Sequence, residues 1–242
     1  MTSKAKTTSR GTQFEFYMDL LGHDVLNSNQ AVLSYLELIM ANPGADKKTR
    51  ALAEKAIAHI RSSTMLVENV KRILGTREID YRNLKQVDLV KAIERAEVEL
   101  GRYYPGRRMR LDHKGWPKTA VAFGNTYAAD LILISLVTAV RLDVGEDVNM
   151  TLSLNEGESE GHPMWMIRID DPNSQLPPFL DGEGVTATYA QDISLAVRTT
   201  GLLSAKMIAK NLGGDFEAHA TSHEPKRRGA IFTIALRRAD QP

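Results

Sequence analysis

The chain has 242 residues, of which 43% are hydrophobic and 25% charged, so it can bury an ordinary core and has room for one or two domains. Lys and Arg total 31 against 30 for Asp and Glu, and this balance gives no reason to expect a nucleic acid or an anionic membrane as a partner. Cysteine is absent, which excludes disulfides and thiolate metal sites and fits a reducing compartment.

The chain starts with the polar stretch MTSKAKTTSRGTQ, which has no apolar core and is not typical of a secretory signal. No apolar run reaches the roughly 20 residues of a membrane span. We therefore expect a cytoplasmic protein without a membrane span. Residues 1–12 are predicted to be a flexible tail, and any input is expected from a separate protein or ligand.

A first long helix is predicted from about residue 13 to residue 40 by an apolar seam. The seam has the alternating spacing of four and three residues that is typical of helices in a bundle, at Phe14, Met18, Leu21, Val25, Ser28, Val32, Tyr35 and Ile39. The turn signal Asn42-Pro43-Gly44 follows it.

A second helix is predicted from about residue 46 to residue 74, and Gly75 ends it. It repeats the spacing at Ala56, Ile60, Ser63, Val67, Val70 and Leu74. Two long helices joined by a short turn predict an antiparallel hairpin over residues 13–78. Because a lone hairpin leaves an apolar face uncovered, we expect two copies to form a dimeric four-helix bundle.

The pattern then changes to shorter helices and strands, which predict an α/β domain over residues 84–242. Helices are predicted at 87–100, 127–142 and 202–212. Strands are predicted at 108–112, 119–123, 150–154, 165–169, 215–220 and 230–236. A polar loop, NEGESEGHP, is predicted between the third and fourth strands, and a mobile loop with a helix near its end over 176–200.

The segment MDLLGHDVLNSNQ contains the candidate catalytic residues. His23 lies between the seam positions Leu21 and Val25, so its side chain is expected to point away from the bundle axis. Asp24 is adjacent, and Asn27 lies one helical turn later on the same face. A neutral imidazole nitrogen is a good nucleophile near neutral pH, and a neighbouring acid can orient the ring or take its proton. These residues can form a phosphoryl acceptor; a surface histidine without chemistry is the alternative.

The string His-Asp-x-x-Asn in the first helix of a long hairpin resembles the phosphoacceptor box of histidine kinases. The hairpin resembles their dimerisation and histidine-phosphotransfer domain. Residues 84–242 resemble their Bergerat-type ATP-binding domain, with LKQVDLVKAIERAEVEL as its opening segment and RGAIFTIALRRA as its closing strand. The resemblance implies a helical hairpin in a dimeric four-helix bundle, followed by a Bergerat-type α/β sandwich.

The nucleotide boxes of that family are incomplete in this chain. Ser135 stands at one expected Asn, and Ala139 stands at the Asn that binds magnesium, although an alanine offers no oxygen to a hard cation. The stretch DDPNSQLPP aligns with the box Asp-x-Gly-x-Gly. It keeps Asp171 at the adenine-reading position and replaces the two glycines, which adopt positive φ, with Asn173 and Gln175.

The third box, Gly-x-Gly-Leu, aligns with TTGL and keeps Gly201, which is expected ahead of a helix whose N-terminus receives phosphates. The resemblance therefore implies ATP with magnesium as the cofactor, bound by Asp171, Gly201 and Ser135, while the losses indicate a degenerate site. The six histidines are scattered, and we expect no metal site built from them.

The sequence favours a phosphorelay protein of two-component signalling. His23 would accept a phosphoryl group and exchange it with an aspartate of a response-regulator receiver domain, with Asp24 as general base or orienter and Asn27 holding water or the phosphoryl oxygens. The expected partners are a second copy of the chain, the receiver, and an upstream kinase or sensor protein. Two alternatives stay open: an active soluble histidine kinase that phosphorylates His23 from ATP, and a non-catalytic dimeric adaptor.

Overall fold

The computed structural model of the chain describes residues 3–76, 79, 84–104, 106–176, 193–221 and 229–239. Contacts divide the chain into two units, Met1–Leu74 and Gly75–Pro242. None of the described helices is both long and apolar enough to cross a bilayer.

The first unit is an antiparallel pair of helices, α1 (Ser3–Ala41) and α2 (Lys47–Thr76). The Asn29 amide donates to the hydroxyl oxygens of Ser63, at 3.2 Å, and Thr64, at 3.1 Å. Arg50 closes the turn, because its guanidinium donates to the carbonyl oxygens of Met40, Asn42 and Ala45 at 2.9, 2.7 and 3.1 Å. These bonds satisfy carbonyls that the end of a helix otherwise leaves unpaired.

The face of α1 that packs on α2 is not the predicted seam. Gly22 is buried, and the positions that follow it at the same spacing are half-buried: Leu26, Asn29, Leu33, Leu36 and Met40. The seam positions whose side chains the structure describes are exposed instead: Val25, Ser28, Val32, Tyr35 and Ile39. Two interleaved sets share the spacing of four and three residues, so spacing alone did not identify the one that faces α2.

Helix α1 begins at Ser3, within the stretch over residues 1–12 that was predicted to be a flexible tail. Once a helix is nucleated, each added residue contributes one backbone hydrogen bond. The polar stretch contains the helix formers Ala, Lys and Arg, and it extends the helix although it offers no apolar face.

The second unit combines helices with two sheets. Its elements in chain order are β1 (Lys85–Asp88), α3 (Leu89–Tyr103), β2 (Met109–Lys114), β3 (Val121–Gly124), α4 (Tyr127–Leu142), β4 (Val148–Ser159), β5 (His162–Asp171), α5 (Ile193–Asn211), β6 (Asp215–Ala220) and β7 (Ala230–Arg237). The larger sheet has the order β2-β4-β5-β7-β6, with β2 and β4 parallel and the other pairs antiparallel. Strands β1 and β3 form a separate antiparallel pair.

Helix α4 is the centre of the core. It packs between α3 and α5, and its residues from Leu131 to Val140 are all buried. A helix that is apolar all round is stable only when it is covered on every side. In the sheet below, β4 buries alternate residues, Val148, Met150, Leu152 and Leu154, as expected for a strand with one face in the core.

The predicted loop NEGESEGHP is mostly strand, because β4 and β5 continue to Ser159 and His162. The connection is the two-residue turn Glu160-Gly161, with φ of 51° and 76°. Positive φ at both positions is the signature of the primed turns that match the twist of a hairpin. The polar composition indicated a loop here. The end of a hairpin that is exposed to solvent can be polar, however, because its strands are held by backbone hydrogen bonds and bury no side chains there.

Helix α5 runs from Ile193 to Asn211. The helix predicted near the end of the 176–200 loop and the helix predicted over 202–212 are therefore one continuous helix. Residues 177–192 of that loop lie outside the described part of the chain.

Candidate functional site

His23 lies on the solvent side of α1 and is grouped with the two residues predicted to assist it. The side chains of His23 and Asp24 are 69% and 70% exposed, and His23 Nδ1 is 3.3 Å from Asp24 Oδ1. The Asn27 amide nitrogen is 3.1 Å from Nδ1 and 3.3 Å from Nε2 of the ring. An exposed imidazole with a carboxylate and an amide at this range can meet a reactant from solvent.

Gly22, next to His23, has a packing role that sequence reasoning missed. A Cβ atom added to Gly22 would lie 3.2 Å from Lys71 Cδ and 3.3 Å from Val67 Cγ1. The missing side chain therefore lets α2 approach α1 directly behind His23. A glycine inside a helical pattern was the only available signal, because glycine in a helix interior costs stability unless a close approach requires it.

In the second unit, Asp171 ends β5 and is fully buried. Its Oδ1 accepts the backbone N–H of Asn173 at 2.9 Å. The buried carboxyl of Asp143 is close enough to hydrogen-bond with it. Burial raises the pKa of Asp171 to about 7, the Asn173 N–H opposes the rise, and Asp143 adds to it.

The Asp143–Asp171 pair is a feature that the sequence did not reveal. Arg107 donates to Asp143 Oδ1 at 3.2 Å and to the carbonyl oxygen of Val140 at 3.1 Å. Oδ2 of each aspartate is buried, and the buried Ser174 hydroxyl is a further hydrogen-bonding group within reach of Asp171. Two carboxyls that share a buried site cannot both ionise cheaply, so a proton held between them stabilises this arrangement.

The residues of the first nucleotide box lie inside the core. Ser135 and Ala139 on α4 are fully buried, and the Ser135 hydroxyl donates to the carbonyl oxygen of Leu131 at 2.8 Å. The structure therefore does not bring Ser135 and Asp171 together around a shared surface. Asn173 and Gln175 keep negative φ, since Glu160 is the only non-glycine residue with positive φ in the described ranges.

Gly201 lies within α5, eight residues after the helix begins, and not at a helix N-terminus. A Cβ atom at Gly201 would overlap Thr138 Oγ1 on α4. The glycine thus permits close packing of α4 on α5. The sequence analysis expected this glycine ahead of the helix, where the unpaired N–H groups of the first turn lie, and the structure has it inside the helix instead.

A second histidine is paired with a carboxylate, which the sequence analysis did not anticipate. His113 Nε2 lies 2.6 Å from Glu97 Oε1. The His113 ring also stacks on Trp116, with ring centres 4.1 Å apart and planes 8° from parallel. The contact with Glu97 joins β2 to α3 across 16 residues of chain, a separation that no local sequence pattern predicts.

Within the described residues, no group of three or more His, Asp or Glu side chains could hold a metal ion. The candidate residues therefore fall into separate places: the exposed His23 group on α1, and the buried Asp143–Asp171 pair in the second unit.

No protein-family model matches the chain, and no curated protein matches its sequence. Solved structures do match its fold. The mycobacterial sensor histidine kinase MprB matches with a TM-score of 0.51 at 15% identity, over 65% of this chain and 100% of that one. The nucleotide-free catalytic domain of histidine kinase ThkA gives 0.51 at 10% identity, over 64% of this chain and 96% of that one.

Full-length ShkA, solved in complex with AMPPNP, matches with a TM-score of 0.57 at 16% identity. This match covers 93% of the present chain but 47% of ShkA, so the chain spans about half the length of that protein. The predicted mixed helix-and-sheet fold is confirmed, and the chain contains the fold of histidine kinase catalytic domains.

Proposed function

We propose that the protein is a histidine-kinase-like phosphorelay protein of two-component signalling, in which His23 carries the phosphoryl group. The observation that carries this proposal is the exposed His23 ring with Asp24 and Asn27 within 3.3 Å of it. The histidine kinase fold of the chain supports the same class of chemistry. His23 exchanges the phosphoryl group with the aspartate of a response-regulator receiver domain. An upstream kinase or sensor supplies phosphoryl groups to the relay.

The transfer is a single exchange of bonds. The acyl phosphate P–O bond of the receiver aspartate breaks as a P–N bond forms to the imidazole, and the receiver recovers its carboxylate. Asp24 accepts the Nδ1–H of His23, so that Nε2 presents its lone pair to phosphorus and the positive ring is stabilised. Asn27 donates to the phosphoryl oxygens. Such transfers depend mainly on positioning and charge stabilisation, and the receiver supplies its own magnesium.

The residues at the nucleotide boxes do not fit ATP with magnesium. Ala139 has no oxygen for the metal, and Ser135 is buried with its hydroxyl bonded to its own helix. Asp171 is the one retained carboxyl, and it is engaged with Asp143. Retention of Asp171 is also the observation that favours the rival function, a soluble histidine kinase that phosphorylates His23 from ATP.

We further propose that the relay works as a homodimer, with the hairpins of two copies in a four-helix bundle. The outer stripe of α1, defined as Val25, Val32, Tyr35, Leu38 and Ile39, is between 37% and 68% exposed. A contiguous exposed apolar surface of this kind marks an interaction site. A second copy of the same stripe covers it with matching chemistry, as in an isologous interface.

The test uses the full-length protein and a receiver domain charged with radiolabelled acetyl phosphate. Label should pass to the wild type and to His59→Ala, and it should not pass to His23→Ala. His59 is the matched control, because it is exposed on α2 of the same hairpin and has no bonded acid in the described part of the chain. Equal labelling of His23→Ala and wild type would overturn the assignment.

A second arm replaces the receiver with labelled ATP and magnesium. The relay proposal expects no label on any variant in this arm. Label on wild type that is lost in His23→Ala would establish the kinase instead. Absence of label in both arms would leave a non-catalytic dimeric adaptor as the function.

A further inference from the structure

Helix α1 offers no positive charge near His23 to an incoming phosphoryl group. Between Arg10 and Lys47 the sequence contains no lysine or arginine. The Asp24 carboxylate and the Asn27 amide lie within 3.3 Å of the His23 ring. A phosphoryl group that approaches the ring therefore meets one negative charge and one neutral donor. Because phosphoryl transfer is helped by cations placed on the phosphoryl oxygens, a stabilising charge has to come from outside this stretch of α1.

Lys71 on α2 contacts the residue that precedes His23. A Cβ atom added to Gly22 would lie 3.2 Å from Lys71 Cδ and 3.6 Å from Lys71 Cγ, so the aliphatic stem of the lysine crosses α1 at this glycine. Two further bonds of about 1.5 Å lead from Cδ to the ammonium nitrogen, which therefore stays within about 6 Å of the same position. Lys71 thus brings a positive charge to the part of α1 that carries His23.

The geometry of the hairpin places this charge on the same side as His23. Val67 and Lys71 both contact Gly22, and the two lie about 40° apart around α2, because each residue of an α-helix advances by about 100°. Since α1 and α2 are antiparallel, the same rotation puts Lys71 on the side of Gly22 where His23 lies, and Val67 on the other side. Lys71 is half-buried, so its stem packs against α1 while its charged end reaches water on that side.

We propose that the Lys71 ammonium donates to the phosphoryl oxygens during transfer to His23, an inference that rests on the phosphorelay function proposed above. The ammonium offsets the repulsion between the phosphoryl group and the Asp24 carboxylate, and its charge-assisted hydrogen bonds are about twice as strong as neutral ones. Lys71 stays protonated and exchanges no proton in this step. Gly22 admits the lysine stem. One positive charge about 6 Å from a phosphoryl dianion in water-like surroundings is worth about a tenfold change in rate.

The test measures single-turnover transfer from a radiolabelled receiver domain to the full-length protein, with the receiver concentration raised to saturation. Lys71→Met keeps the aliphatic stem and removes the charge, and it should lower the rate at saturation about tenfold. Lys71→Arg restores the charge and should recover most of the loss. Lys55→Met is the matched control and should leave the rate unchanged, because Lys55 is an exposed lysine of α2 that lies about 24 Å from Lys71 along the helix.

Each outcome separates a role in charge stabilisation from packing, docking and the relay itself. A wild-type rate in Lys71→Met would overturn the inference. A loss that Lys71→Arg does not recover would assign Lys71 to packing instead, and a change only in the receiver concentration at half-saturation would assign it to docking; both results overturn the inference and leave the relay standing. No transfer to the wild-type protein would overturn the proposed function, and this inference with it.

Discussion

Replacing Asp171 with asparagine should stabilise the protein at alkaline pH and remove part of the pH dependence of its stability. Burial raises the pKa of Asp171 from 3.8 to about 7, and the neighbouring Asp143 carboxyl adds to this rise. The folded protein therefore keeps a proton that the unfolded chain releases above about pH 4. The contribution of Asp171 to the free energy of unfolding therefore falls as the pH rises from about 4 to about 7, and is level above that range.

The amount of stability that is lost follows from the width of that pH range. Each pH unit across which the two states differ by one proton is worth about 1.4 kcal/mol, so the ionised pair costs up to ~4 kcal/mol at pH 8. Asparagine has nearly the same shape, still accepts the Asn173 N–H and can donate to Asp143, but carries no charge. Asp143 keeps its hydrogen bond from Arg107 in this variant.

The assay is urea unfolding of the full chain, followed by circular dichroism at pH 5 and pH 8. Asp171→Asn should be more stable than wild type at pH 8, and the gain should shrink at pH 5. Asp170→Asn is the control, because Asp170 is 40% exposed, pairs with Arg168 and should change little. An unaltered pH dependence in Asp171→Asn, or a loss of stability at pH 8, would refute the shared proton.

Two further predictions concern packing. Gly201→Ala should destabilise the second unit by about 1–3 kcal/mol in urea unfolding, because its Cβ would overlap the Thr138 hydroxyl. Gly101→Ala is the control, because no atom lies within 4 Å of the added carbon. It should stabilise the protein by up to about 1 kcal/mol. A destabilised Gly101→Ala or a neutral Gly201→Ala would contradict this packing. Tyr35→Glu places a charge in the outer stripe and should convert a dimer to a monomer in light scattering at micromolar concentration. Gln30→Glu, at an exposed polar position of α1, should leave the dimer intact. Dimers in both variants would place the interface elsewhere.

The strongest local patterns predicted elements well. Helix α4 spans Tyr127–Leu142 as predicted, because a long apolar run bounded by polar residues leaves few alternatives. Strands β6 and β7 also fall where alternation placed them. The grouping of His23, Asp24 and Asn27 followed from helical spacing alone, since residues at i and i+4 lie one turn apart.

The remaining features depend on contacts between distant residues. Asp143 and Asp171 are 28 positions apart in the sequence, and only the fold of the second unit brings their carboxyls together. Gly201 was aligned with a phosphate-binding turn, and its close contact with α4 depends on Thr138, 63 positions earlier, which the motif did not indicate. For Asp171 and Gly201 the sequence motif suggested contact with a nucleotide, whereas in the fold each contacts another residue of the second unit.

Mass spectrometry of the phosphorylated protein tests directly whether His23 carries the phosphoryl group. The full-length protein is incubated with a charged receiver domain, digested under basic conditions that preserve phosphohistidine, and fragmented to locate the added phosphate. We expect one modified site, His23, with a bond that is lost on acid treatment. Phosphate on His113 or on a hydroxyl side chain, with His23 unmodified, would contradict it.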